Sequence, residues 1–139
     1  MDYENQISFN YADLEEAFPH CAPGIRPYGS RVIVQIRTAK KKTKGGIIIT
    51  DDVRDSEQYN TQVGKVVGIG PLAFHNRNTM EPWPEGAWSK IGDFVRVPKY
   101  GGDRWERTTE NGESALFVTF NDLDLVGEVD DPLTLKAFL

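Results

Sequence analysis

Between positions 31 and 37, Val32, Val34 and Ile36 alternate with Arg31, Ile33, Gln35 and Arg37. This period of two predicts a β-strand with one buried face. Similar short apolar runs recur at 63–69, 94–97 and 115–120, with a last candidate at 123–129. Gly64, Gly68 and Gly70 in and after the second run predict bends or close backbone approach. Gly92-Asp93 and Asn111-Gly112 are turn signals, the latter a strong hairpin marker. Short strands separated by turns predict an all-β chain folded as a small barrel.

One helix is expected, before the strands. Asn10 and Asp13 are spaced like a cap, and Tyr11, Leu14 and Phe18 fall on one helical face that Pro19 would end. So short a helix is not stable alone. It docks on the body, docks on a neighbouring copy, or frays. Residues 1–24 therefore read as an acidic extension with a short helix, accessory to a barrel at 25–129 and expected to be dispensable up to Pro19. Residues 130–139 read as a tail that exposes Leu133, Leu135, Phe138 and Leu139 unless they pack.

The segment 38–57, TAKKKTKGGIIITDDVRDSE, breaks the strand pattern. Gly45 and Gly46 make the backbone permissive, and β-branched Ile47, Ile48 and Ile49 follow between two charged flanks. Such a run is either a core strand after a lysine-rich turn or an apolar tripeptide presented on a tether. A second irregular stretch, 71–90, holds Phe74, Trp83 and Trp88 among prolines and polar residues.

At 139 residues the chain has the length of one domain. Its net charge of −5 argues against a general nucleic-acid binder. The local basic cluster of Arg37, Lys40, Lys41, Lys42 and Lys44 is offset by Asp51, Asp52, Asp55 and Glu57 and reads as a solvated arm. Phe74, Trp83 and Trp88 could stack bases, but only Arg77 and Lys90 accompany them. One cysteine, Cys21, excludes an internal disulfide. No apolar run has the length of a membrane helix, and the N-terminus has no signal-peptide character. A cytoplasmic location without membrane attachment is the expectation.

Catalytic chemistry finds no support. His20 and Cys21 are adjacent and His75 is isolated, so no four-ligand metal cage is expected. Gly45-Gly46 after Lys44 lacks P-loop spacing, and Gly68-Ile69-Gly70 leads into a proline and a loop. A binding protein is expected, with no enzymatic activity and no cofactor of its own.

A family resemblance sharpens this. Ile25-Arg26-Pro27-Tyr28-Gly29-Ser30-Arg31-Val32-Ile33-Val34 precedes the triple-isoleucine segment. Gly64-Lys65-Val66-Val67-Gly68-Ile69-Gly70, Ile91-Gly92-Asp93-Phe94-Val95, Tyr100-Gly101-Gly102 and Asp122-Leu123-Asp124-Leu125-Val126 follow in order. In sequence and spacing these resemble the GroES family of co-chaperonins: its I-x-P-x-x-x-R-V-x-V opening strand, G-G-I mobile loop, G-x-V-x-x-V-G strand, V-G-D turn, Y-G-G segment and D-I-L closing strand. The resemblance runs from Ile25 to Val126. Ile69 and Ile91 replace valines, Gly29-Ser30 replace a commonly polar or acidic pair, and both ends run past the usual boundaries.

The resemblance implies a partly open small β-barrel with a long mobile loop at about 38–57 and a roof insertion at about 71–90. It implies a homo-heptameric ring that caps a GroEL-type chaperonin and encloses a substrate protein. Gly45, Gly46, Ile47, Ile48 and Ile49 would bind the chaperonin, which itself binds and hydrolyses ATP. Ile25, Arg26 and Pro27 of one subunit would meet Leu123, Leu125 and Val126 of the next. Tyr100 would line the cavity wall, the alternative being a half-buried barrel aromatic, and Phe74, Trp83 and Trp88 would pack at the roof. The extensions and the roof resemble those of bacteriophage-encoded members, which serve capsid-protein folding in the host cytoplasm. Two rivals stand beside this reading. One is a stand-alone β-barrel interaction module whose isoleucines bind some other apolar groove, without a chaperonin; the other is an enzyme, since the same barrel occurs as the substrate domain of zinc alcohol dehydrogenases, for which the chain has neither zinc ligands nor a Rossmann half.

Overall fold

The structure, a computed structural model, describes residues 14–38 and 62–135. Six strands form one antiparallel sheet: β1 (Arg31–Ile36), β2 (Val63–Ile69), β3 (Phe94–Arg96), β4 (Asp103–Thr108), β5 (Ser114–Asn121) and β6 (Gly127–Glu128). Their order is β4-β5-β1-β2-β3-β6, so β4 and β6 stand at opposite ends and the curled sheet stays open. Between Ile33 and Val34 the register against β2 shifts, a bulge that bends the strand pair. Gly64 and Gly70 are glycines for want of room: a Cβ on Gly70 would collide with the Gly29 carbonyl, and one on Gly64 with the Val34 side chain.

The first, second, third and fifth strands fall where alternation predicted them. Between β4 and β5 the Asn111-Gly112 turn closes as expected, with Gly112 N–H donating to Thr109 O at 3.0 Å and Thr109 N–H to Glu113 O at 2.7 Å. The expected strand at 123–129 is mostly absent. Asp122–Asp124 instead form a 3-10 turn, and only Gly127–Glu128 pair, against β3.

β1 is buried on both faces rather than one. Val32, Val34 and Ile36 enter the main core with Val66, Val95, Leu116 and Phe120. Ile33, on the opposite face, packs with Ala115 and Phe117 beneath Cys21 and Trp105. The chain at 19–23 covers this second face, where Gln35 Nε2 donates to Pro19 O and Trp105 Nε1 to Pro23 O, both at 2.8 Å.

The residues before it form α1 (Leu14–Ala17). Of the predicted helix face, Phe18 is buried while Leu14 is exposed, and Asn10, Tyr11 and Asp13 lie outside the described residues. Ala17 and Phe18 form a third apolar cluster with Val63 and Val129, against Phe94 and Leu133. The Phe18 and Phe94 rings lie 5.2 Å apart. The stretch read as dispensable therefore contributes core side chains. Leu133 of the tail is partly covered in the same cluster, Leu135 stays exposed, and Phe138 and Leu139 lie outside the described residues.

Candidate functional site

The segment Gly45, Gly46, Ile47, Ile48 and Ile49 lies outside the described residues. Its two footings do not. On the incoming side Arg37 N–H donates to Val63 O at 3.0 Å and Thr38 N–H to Ala17 O at 2.8 Å. On the returning side Val97 N–H donates to Gln62 O at 2.9 Å, and the Gln62 amide bridges Val97 O at 3.2 Å and the Arg96 guanidinium at 3.0 Å. Residues 38 and 62 thus emerge side by side from a hydrogen-bonded base.

Arg37 is the largest side chain buried in that base, 1% exposed. Its Nη1 donates to Pro132 O at 3.1 Å and also to Leu135 O. A buried guanidinium that donates to these carbonyls is a structural clamp, not part of a basic surface. The arm read from Arg37 through Lys44 therefore loses its first member, which ties the tail to the end of β1.

Of the expected subunit-contact residues, Ile25, Arg26, Leu123 and Val126 are exposed, Pro27 is half-buried and Leu125 belongs to the subunit's own core. The pairing of β1 with β5 stops at Arg31 and Asn121, and one further contact, Asp122 N–H to Ser30 O at 3.1 Å, marks where the two chain segments meet. The exposed groups lie just beyond that meeting point, on either segment.

The insertion at 71–90, expected to form a roof, contains a compact hairpin. His75 pairs with Pro82, Trp83 N–H donates to Phe74 O at 3.0 Å, and Asn76 N–H to Glu81 O at 2.7 Å. Phe74, Trp83 and Trp88 do cluster: Trp83 and Trp88 centroids are 4.6 Å apart and Phe74 meets Trp83 edge-on at 5.5 Å. They divide the work, however. Phe74 is 3% exposed and belongs to the main core, Trp83 is half-buried, and Trp88 reaches solvent with its Nε1 donating to Glu85 Oε1 at 2.7 Å.

Asp122, fully buried, pins this hairpin to the barrel. One carboxylate oxygen accepts from Phe74 N–H at 2.8 Å; the other accepts from Arg77 Nη2 at 2.7 Å and Leu123 N–H at 2.8 Å. Phe74 has φ of 63°, a left-handed conformation costly for a side chain of its size. The bond from Asp122 holds it there. Sequence reading passed over Asp122 and Arg37 as anchors. The only signals were a carboxylate opening an apolar segment and an arginine continuing the alternation of a strand.

Tyr100 is 74% exposed, so it is not a half-buried barrel aromatic. It follows Lys99, whose ammonium lies 5.7 Å from its ring, and precedes Gly101 and Gly102, both with positive φ. Among the described residues no group of three or more His, Cys, Asp or Glu is placed to hold a metal ion. No described helix is long and apolar enough to cross a membrane.

The family model described as "Chaperonin 10 Kd subunit" matches residues 24–127. A co-chaperonin GroES of a Caulobacter species is 32% identical over 110 residues, covering 76% of this chain and 96% of that protein. The co-chaperonin GroES 2 of Mesorhizobium japonicum is 31% identical over 111 residues, covering 80% of this chain and 94% of its own. These matches, with the open antiparallel barrel, place the chain in the chaperonin 10 kDa subunit family, as a GroES-type co-chaperonin rather than an enzyme. That family has no cofactor of its own, and membership implies a GroEL-type chaperonin as partner.

Proposed function

We propose that seven copies of this chain form a ring that caps a GroEL-type chaperonin when the chaperonin binds ATP, and so enclose a substrate protein for folding in the cytoplasm. The observation that carries the reading is the footing at Arg37, Thr38 and Gln62, where a segment of more than twenty residues leaves and re-enters the barrel through one hydrogen-bonded base. A long segment rooted in this way can present Ile47, Ile48 and Ile49, with Gly45 and Gly46 as the joint, to an apolar groove on the chaperonin.

Energetics favour repetition. Burying an isoleucine contributes on the order of 1.5–3 kcal/mol, so three contribute roughly 5–9 kcal/mol at most. Ordering each backbone residue costs about 1–2 kcal/mol. One loop therefore binds weakly. In a ring the later loops bind intramolecularly, with avidity gains of about 10²–10⁴, and release follows when the partner's nucleotide state changes. Ile25, Arg26 and Pro27 against Leu123 and Val126 of the next copy would seal the ring head to tail, Leu125 supporting that segment from within. The exposure of Tyr100 supports a place on the cavity wall, and that of Trp88 a place in roof packing. The extra N- and C-terminal residues and the aromatic roof support a bacteriophage-type member whose client is a capsid protein.

Replacing Ile47, Ile48 and Ile49 together by serine tests the loop. Chaperonin binding is expected to vanish while the ring persists. A ring or fold lost along with binding would instead assign the three isoleucines to the core.

A further inference from the structure

Asp122 is buried where two parts of the chain meet, and its carboxylate is divided between them. One oxygen accepts from the Phe74 N–H at 2.8 Å, at the root of the hairpin in the 71–90 insertion. The other accepts from the Leu123 N–H at 2.8 Å and from Arg77 Nη2 at 2.7 Å. Leu123 opens the segment on which Leu123 and Val126 stand exposed. A carboxylate is planar and rigid, so its two oxygens do not move independently. A shift of the Leu123 side displaces the oxygen that holds Phe74.

Phe74 depends on that bond. Its φ of 63° is strained for so large a side chain, and such a conformation persists only while its surroundings over-determine it. The same hairpin is strained again at its tip, where exposed Met80 also has φ of 63°. Met80 is held there by its N–H donating to Asn76 O at 2.8 Å, while the Asn76 side chain accepts from the Asn78 and Thr79 N–H groups at 2.8 and 3.2 Å. Strain at root and tip puts the hairpin among the segments that open most readily.

We propose that Asp122 is a positioning residue that couples ring closure to the order of this hairpin. The inference rests on the ring reading above, in which the next copy covers Leu123 and Val126, and it assigns a consequence to that covering elsewhere in the subunit. Covering the segment fixes the Leu123 N–H; this fixes the carboxylate, which then holds the Phe74 N–H against its backbone strain. Arg77 reaches the Leu123 side of the carboxylate from the hairpin itself and belongs to the same joint. By linkage the coupling is reciprocal, so a hairpin held in its ordered form favours the ring by the same factor. A subunit outside the ring keeps a loose hairpin, and ring closure makes it firm.

Hydrogen exchange read by mass spectrometry on the full-length protein tests this. The ring is compared with the free subunit, obtained by dilution or by Val126→Asp on the exposed edge. Amides of residues 74–83 are expected to exchange roughly five- to 150-fold more slowly in the ring, the range of a typical coupling between sites. In Asp122→Asn the side chain keeps one acceptor oxygen and turns an NH2 group toward the other donors, so the difference between ring and free subunit is expected to vanish. A hairpin shielded directly by the neighbouring copy would keep the difference in Asp122→Asn, which would overturn the coupling and leave the ring reading standing. The parent comparison needs no variant at position 122: equal hairpin exchange in ring and free subunit overturns the coupling even where Asp122→Asn does not fold. A parent that stays monomeric at every concentration overturns the ring reading and the coupling with it.

Discussion

Arg37 Nη1 donates to the carbonyl oxygen of Pro132 at 3.1 Å, joining residues 95 positions apart in sequence. The bond ties the residue that follows β1 to the tail that follows the barrel.

Replacing Arg37 by alanine should remove this clamp. Hydrogen bonds from a charged donor contribute about 1.5–3 kcal/mol each, and buried carbonyls left unpaired add to the loss. We expect a stability decrease of about 2–4 kcal/mol in urea denaturation. Proteolysis of the tail after Asp131 should also accelerate. Unchanged stability would mean that the tail is held without Arg37.

Phe18 should behave as a core residue. Phe18→Ala empties a site between Phe94, Val63 and Val129 and should cost about 3 kcal/mol. Deleting residues 1–19 should cost at least as much, measured by thermal unfolding. A truncated protein as stable as the parent would show that this packing contributes nothing.

The roof hairpin should depend on Asp122 more than on Arg77. Asp122→Ala leaves two N–H donors without their acceptor, one of them on strained Phe74, and should cost about 2–4 kcal/mol. Arg77→Ala removes one half-exposed partner of the ion pair, and solvent screening limits its cost to about 1 kcal/mol. Hydrogen exchange at the Phe74 amide should speed up strongly in the first variant and little in the second. Equal effects would contradict Asp122 as the anchor.

Asp131 makes the tail sensitive to acid. The Thr134 hydroxyl, which donates at 2.8 Å, and then the Leu133 N–H hold its carboxyl below the ordinary value of 3.8. A lowered folded-state pKa stabilises the native turn above 3.8, and that contribution is lost as pH falls through the folded value. The acid-side loss of tail protection should therefore be weaker in Asp131→Asn, read by proteolysis across pH 5 to about 2. Identical profiles would remove Asp131 from the turn's energetics.

The barrel was legible in the sequence where one strand supplies its own pattern. Val32, Val34 and Ile36 announced β1, and Asn111-Gly112 announced the hairpin of β4 and β5. β4 itself, DRWERT, escaped notice because an edge strand with charged residues lacks apolar alternation. Burial of β1 on its second face was hidden too, since it depends on Pro19 and Pro23 returning from an earlier segment. The last strand failed for a local reason: the buried Asp122 carboxylate accepts the Leu123 N–H and turns the chain into a 3-10 turn. Of the candidate site, the exposed Ile25, Leu123 and Val126 were readable as motif positions. The place of Asp122 between that segment and the hairpin was not, because it needs Phe74 brought across from the insertion.

The most direct test of the co-chaperonin role is native mass spectrometry of the full-length protein alone, and mixed with a GroEL-type chaperonin with and without ATP. A seven-membered ring that joins the chaperonin only when nucleotide is present is expected. A monomer that ignores the chaperonin in every nucleotide state would contradict it.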